Sequence, residues 1–143
     1  MPDHRQTLEA LIDAWRQKDV AAVLDFVTDD LVYHFHVGTR PIVGKHAFEK
    51  FLKRLGDQQQ EVGWRIMRHA QQGDVLFVEG FDDYIDGKGR RIRHPYAGVF
   101  EFQGGRIRRW RDHFDLALLQ RLQAGESLPD WLEELVTAES ADV

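Results

Sequence analysis

Asp82, His94, Tyr96 and Asp112 are the side chains of this 143-residue sequence whose types and spacing can do chemistry together. A carboxylate moves protons, an imidazole orients or relays them, and a phenol donates a hydrogen bond to developing negative charge. All four sit at even positions in three alternating segments, about residues 74 to 86, 90 to 102 and 106 to 114. Three-residue loops from Gly87 to Gly89 and from Gln103 to Gly105 would join these segments as antiparallel neighbours, with glycine supplying the left-handed position. Counting back from the first loop sets Asp82 opposite His94, Gly80 opposite Tyr96 and Asp83 opposite Arg93. Counting from the second sets Tyr96 opposite Asp112, His94 opposite Phe114 and Gly98 opposite Trp110. Strand residues two apart share a face, so Phe100, Trp110 and Phe114 point the same way as the four polar groups. Directly opposed side chains have Cβ atoms roughly 5 Å apart, so Asp82 is expected to orient His94, and Tyr96 to bond Asp112. In such an apolar hollow an aspartate loses solvation and its pKa rises towards neutrality. Two carboxylates can then divide the work, one protonated and one ionised.

A structural reading stands beside this one, since buried Asp, His and Tyr can simply satisfy one another as a network. The opposite sheet face carries Asp83, Arg91, Arg93, Arg109 and Arg111, expected to pair across strands with Asp83 and Glu101 or to be buried at a partner subunit. His34, His36 and His46 do not make a metal site, because alternation sets His34 and His36 on the face opposite Phe35. No metal and no cofactor is called for, and no glycine-rich phosphate loop, nucleophile elbow or zinc spacing is present.

The elements that must position these groups are readable from periodicity. Leu8, Leu11, Ile12 and Trp15 recur at helical spacing from about Asp3 to Gln17. A shorter helix follows, capped by Asp19, with Val20, Val23, Leu24 and Val27 as its apolar face. LVYHFHV, residues 31 to 37, reads as a strand closed by the turn residues Gly38 to Pro41. A third helix starts after Gly44 and stops at Gly56, with Ala47, Phe48, Phe51, Leu52 and Leu55 inward. Four segments at strand spacing follow, the first at about 61 to 71, then a helix from Leu116 to Gln123 and a short one begun by Pro129. Helices followed by an antiparallel meander are an α+β arrangement, a curved cone-shaped sheet wrapped around the N-terminal helices. The concave face that three short helices cannot fill is the expected pocket, with Trp15, Trp64, Gly80, Phe35, Phe100, Trp110 and Phe114 in its wall.

The sequence contains no cysteine and carries a net charge of −5 with 43% apolar and 30% charged residues. That balance fits one folded domain over 1–143, with about 126–143 as a C-terminal extension. It excludes a disulfide framework and a thiolate nucleophile, and the acidic balance argues against nucleic acid. The opening MPDHRQTLEALIDAW lacks the apolar core of a signal peptide, no stretch is long and apolar enough to span a bilayer, and a cytoplasmic location is expected.

The segment GRRIRHPYAGVFEFQGGRIRRWRDHFD, with DDLVYHFHVGTRPIVGKHAFEKFL before it, resembles the nuclear-transport-factor-2-like superfamily, in its SnoaL-like and limonene-epoxide-hydrolase-like branch. The resemblance implies the cone fold, commonly a homodimer through the outer sheet face, and a range of activities from isomerase and cyclase to hydrolase. The epoxide hydrolases hold a water with an aspartate, a tyrosine and an asparagine, with a second aspartate as acid and an arginine between the carboxylates. Tyr33, Asp82 and Asp112 match three of those positions, while Phe35 stands for the asparagine and Gly80 for the arginine. The ketosteroid isomerases match less well, with Phe35 at their base position and about Leu11 at their tyrosine. The functional expectation is a cofactor-free general acid–base enzyme on a small apolar molecule, with Asp112 and Asp82 handling protons and His94, Tyr96 and Tyr33 orienting substrate or water. The alternative is a non-catalytic ligand-binding or dimerisation module of the same fold.

Overall fold

The computed structural model describes residues 3–137. Its elements are α1 (His4–Arg16), α2 (Val20–Leu24), β1 (Val27–His34), β2 (Ile42–Val43), α3 (Lys45–Gly56), β3 (Arg65–Gln72), β4 (Val75–Ile85), β5 (Arg91–Gln103), β6 (Arg106–His113), α4 (Leu116–Gln123) and α5 (Asp130–Thr137). Asp3, Asp19 and Asp115 cap α1, α2 and α4, each accepting from a backbone N–H inside the first turn. Six strands form one curved mixed sheet in the order β2-β1-β6-β5-β4-β3, antiparallel throughout except where β1 runs parallel to β6.

Leu8, Leu11, Ile12 and Trp15 of α1 and Phe48 and Leu52 of α3 are buried against Leu76, Val78, Tyr96, Phe100 and Trp110 of the concave sheet face. Each such side chain contributes roughly 1.5–3 kcal/mol by leaving water, so the stripes spaced for a helix and the even positions of the strands close on one another. α4 covers Tyr84 and Ile92 at the other end of the same face. α5 crosses to the outer face, where Val136 packs with Met67 and Phe81, Arg93 pairs with Glu133 at 2.7 Å, and Arg65 donates to the Val136 carbonyl. The segment expected as an extension is thus docked on the sheet as far as Thr137, and its residues 138–143 lie outside the described ones. Among the described residues no helix is long and apolar enough to cross a membrane.

Several boundaries differ from the sequence reading. β1 starts at Val27, which belongs to the strand and not to the face of α2, because it pairs with Ile107 in the parallel ladder. It ends at His34, so Phe35 and His36 leave the sheet. β2 was hidden behind Pro41, and β3 begins only at Arg65 because residues 57–64 form a loop with Glu61 at φ 49°.

The first hairpin has the expected register: Asp82 faces His94, Gly80 faces Tyr96 and Asp83 faces Arg93. In the second, Gly98 and not Tyr96 faces Asp112, Phe100 and not Gly98 faces Trp110, and Phe114 lies beyond β6 and pairs with nothing in the ladder. The cause is a two-residue loop. Gln103 pairs with Arg106, leaving only Gly104 and Gly105, at φ 59° and 79°, to turn the chain. That loop alone would invert the faces of β6. A bulge at Arg108, between the pairs Phe102–Ile107 and Glu101–Arg109, adds one residue and restores the phase, so Trp110 and Asp112 face inward as read.

On the outer face the ion pairs run differently from the register. Asp83 takes both its bonds from Arg91, at 2.9 and 2.8 Å, and Arg111 pairs with Glu101 at 2.5 Å. Among the described residues no three His, Asp or Glu side chains converge as a metal site, and the His36 ring lies 4.7 Å from that of Phe114.

Candidate active site

The concave face encloses a cavity of about 430 Å³ between the sheet, α1, α3 and α4. Of the wall residues read from the sequence, Trp15, Phe35, Trp64, Trp110 and Phe114 line it, as do Tyr33, Asp82, His94, Tyr96 and Asp112. Phe100 and Gly80 do not. Phe100 is fully buried behind Trp110, with ring centroids 5.1 Å apart. Gly80 lies beneath Tyr96, and a Cβ built there would fall inside the Arg65 carbonyl oxygen and 3.0 Å from the Tyr96 ring and hydroxyl. A side chain at position 80 is therefore excluded by backbone, and the Tyr96 phenol occupies the space in front of it.

Asp112 accepts a hydrogen bond from Trp110 Nε1 at 3.0 Å. Burial pushes its carboxyl well above the ordinary aspartate range, the charge of Asp82 pushes it further, and the indole bond only partly opposes them. Asp82 is also raised by burial, with His94 pulling the other way. It keeps 29% of its side-chain surface accessible, and because it lines the cavity that surface is the part a ligand meets. His94, only 2% exposed, stands with Nε2 3.6 Å from Asp82 Oδ2. The spacing is an electrostatic contact and too long for a hydrogen bond. The ring is instead fixed by Phe114 at 5.1 Å and by Nδ1 lying 3.3 Å from the Pro95 carbonyl.

The Tyr96 hydroxyl does not bond Asp112, because the bulged register sets it elsewhere. It accepts from Trp64 Nε1 at 2.5 Å, and an acceptor role leaves its own proton available to the cavity. Tyr33 pairs with Trp110 across the parallel ladder, their rings 4.5 Å apart. Burial, then the charges of Asp112 and Asp82, hold the Tyr33 phenol in its protonated form. The same causes, led by burial, keep Tyr96 protonated. The arrangement thus offers the two buried carboxyls Asp82 and Asp112, of unequal environment, and the neutral phenols of Tyr33 and Tyr96 in one apolar chamber, whose lining also includes Lys88 at the tip of the β4–β5 hairpin.

Sequence reasoning missed Gln59 and Tyr84 in the wall. Tyr84 was within reach of the pattern, since it has the phase of Asp82 two residues away. Gln59 was not, because it belongs to a loop inside a run of three glutamines that has no period.

The profile of the SnoaL-like domain family matches residues 8–110. The chain belongs to the SnoaL-like domain family. Among the relatives of this SnoaL-like chain is the epoxide hydrolase EphG of Mycobacterium tuberculosis (strain ATCC 25618 / H37Rv), 34% identical over 111 residues that cover 76% of this chain and 71% of EphG. The solved structure of an epoxide hydrolase of M. tuberculosis, described as LEH-like, superposes with a TM-score of 0.73 at 28% identity, covering 93% of this chain and 95% of that one. An NTF2-like protein of unknown function from Burkholderia pseudomallei superposes with a TM-score of 0.74 at 21% identity over 85% of this chain and 98% of its own, a likeness of fold alone.

Proposed function

We propose that this SnoaL-like chain is a cofactor-free general acid–base enzyme that moves a proton next to a carbonyl in a small, largely apolar substrate. The observation that carries the reading is the pair Asp82 and Asp112, both facing one apolar cavity and both raised, but by unequal amounts and with unlike neighbours. Asp112, with no cation beside it, holds its proton and serves as the acid. Asp82, opposed by His94, is the carboxylate that serves as base.

The step balances with these two groups alone. A C–H bond next to the substrate carbonyl breaks, its proton passes to Asp82, and the electron pair moves towards the carbonyl oxygen. That oxygen takes a proton or a strong hydrogen bond from Asp112, with the phenols of Tyr33 and Tyr96 as further donors. Returning the proton at another carbon gives an isomerase. Attack of the enol on a second carbonyl gives a cyclase.

Epoxide hydrolysis is the second reading, favoured by the 34% identity to EphG. Against it stand Phe35, which supplies no amide, and Gly80, where no arginine can be built.

The test is to offer enolisable ketones, followed by deuterium exchange, and epoxides, followed by diol formation, to the wild type and to Asp112→Asn and Asp82→Asn. Exchange lowered about 10²-fold or more by each substitution supports the leading reading, and diol formation supports the second. Binding without turnover would leave a ligand-binding module.

The partner we propose is a second copy of this chain, through the outer sheet face where Phe77 stands 42% exposed beside its register partner Val99. Phe77→Glu is expected to yield a monomer by sedimentation where the wild type sediments as a dimer. A cytoplasmic location is proposed with it and is tested by fractionation.

A further inference from the structure

Beyond Asp82 along β4, the polar line of the sheet wall continues to a group the acid–base step does not use. Tyr84 stands on the same face of β4, two residues on, which is about 7 Å along a strand. It is 8% exposed and lines the cavity. Burial, with the charges of Asp82 and Asp86, pushes its phenol well up, and the neighbouring Gln59 side chain draws it partly back. The Gln59 carbonyl oxygen Oε1 in turn accepts from Trp15 Nε1 at 2.9 Å. That bond fixes which way the amide points, with its nitrogen turned away from the indole.

The loop beneath is also held. Lys18, at φ 56°, sends its ammonium to the backbone carbonyls of Gly56 and Gln59 and lies 4.4 Å over the Trp15 ring. An ammonium spent on a loop that carries one oriented amide is a costly device for a merely wetted rim. Among the described residues, the bond from Trp15 to Gln59 leaves two donor groups on the cavity wall: the phenol of Tyr84 and the amide nitrogen of Gln59. Asp82 and Asp86 both act on Tyr84 with negative charge, which favours a neutral acceptor over an anion.

We propose that Tyr84 and Gln59 form a second substrate anchor that binds a neutral oxygen, a hydroxyl or a carbonyl, two strand residues beyond Asp82 along the cavity wall. The substrate is then an oxygenated molecule with two polar ends separated by an apolar body, not a plain hydrocarbon ketone or epoxide. Which of its ends reacts rests on the acid–base reading above; the anchor itself rests on the geometry of Tyr84 and Gln59.

Calorimetric binding of 2-decalone and 6-hydroxy-2-decalone to the wild type, Tyr84→Phe and Asp112→Asn tests it. The hydroxy ketone is expected to bind the wild type about 5- to 10-fold tighter than 2-decalone, the worth of one net hydrogen bond. Tyr84→Phe should erase that preference while leaving the affinity for 2-decalone unchanged, and Asp112→Asn should keep it whatever happens to turnover. A failure of the acid–base reading shows only in turnover, and a failure of the anchor only in the binding preference. A preference below about twofold in the wild type, or one that survives Tyr84→Phe, overturns the proposal.

Discussion

Gly80 is the residue at which this chain parts from the arrangement its resemblance implies. The matching position would carry an arginine between the two carboxylates, and a guanidinium there would hold both ionised. Here the Arg65 carbonyl and the Tyr96 phenol fill the space, so the chamber has neutral donors where a cation would stand. The consequence is the upward shift of Asp112 by burial and by the charge of Asp82. Gly80→Ala is expected to lower stability by roughly 1–3 kcal/mol, measured by urea unfolding. Tyr96→Phe in the same chain should not restore it, because the harder clash is with backbone. The candidate residues themselves were legible from phase, as Asp82, His94, Tyr96 and Asp112 share even numbering across two hairpins. Their bonding was not: Tyr96 bonds Trp64, a residue placed by a loop that carries no period.

At the scale of elements, the first hairpin could be counted because DGKGR closes with a three-residue loop and an Asp86 side chain that accepts from the Lys88 and Arg90 backbone N–H groups, both at 2.9 Å. The second could not, because QGGR supports either a two- or a three-residue loop. One signal was available. Ile107 and Trp110 both belong to the concave core yet are three apart, a spacing that regular alternation puts on opposite faces, and the bulge at Arg108 reconciles them. Two errors of one residue each, in the loop and in the ladder, cancelled in phase while shifting every pairing by two. Both glycines of the turn have positive φ. Gly105→Val is therefore expected to cost roughly 1–2 kcal/mol from the left-handed backbone alone, seen as a lowered unfolding midpoint, and to weaken the inward phase of Trp110 and Asp112. Helices α1, α3 and α4 were legible because three- and four-residue spacing and end signals agree. The bounds of β1 were not, since Asp29 and Asp30 give no strand signal and the segment is held by its parallel pairing with β6.

For the whole molecule, the two carboxyls make stability depend on pH with a definite sign. In the unfolded chain an aspartate loses its proton near pH 4, while native Asp112 keeps its own to a higher pH. Between those points the native state binds more protons than the unfolded state, so stability falls as pH rises. Asp112→Asn removes that term. Its thermal midpoint should exceed that of the wild type by more at pH 7 than at pH 4, by calorimetry. On the proposed acid–base reading, activity is expected to be bell-shaped in an initial-rate pH profile, lost at high pH as Asp112 ionises and at low pH as Asp82 is protonated, with apparent values that belong to the pair.

The claim on which the rest depends is that Asp112 keeps its proton well above the ordinary aspartate range. Titration of the aspartate ¹³Cγ resonances, with Asp112 assigned by comparison with Asp112→Asn, measures it directly. The account predicts that the Asp112 resonance moves only well above the ordinary aspartate range, and that Asp82→Asn lowers that midpoint by removing the neighbouring charge. A midpoint near 4, unchanged in Asp82→Asn, would contradict it.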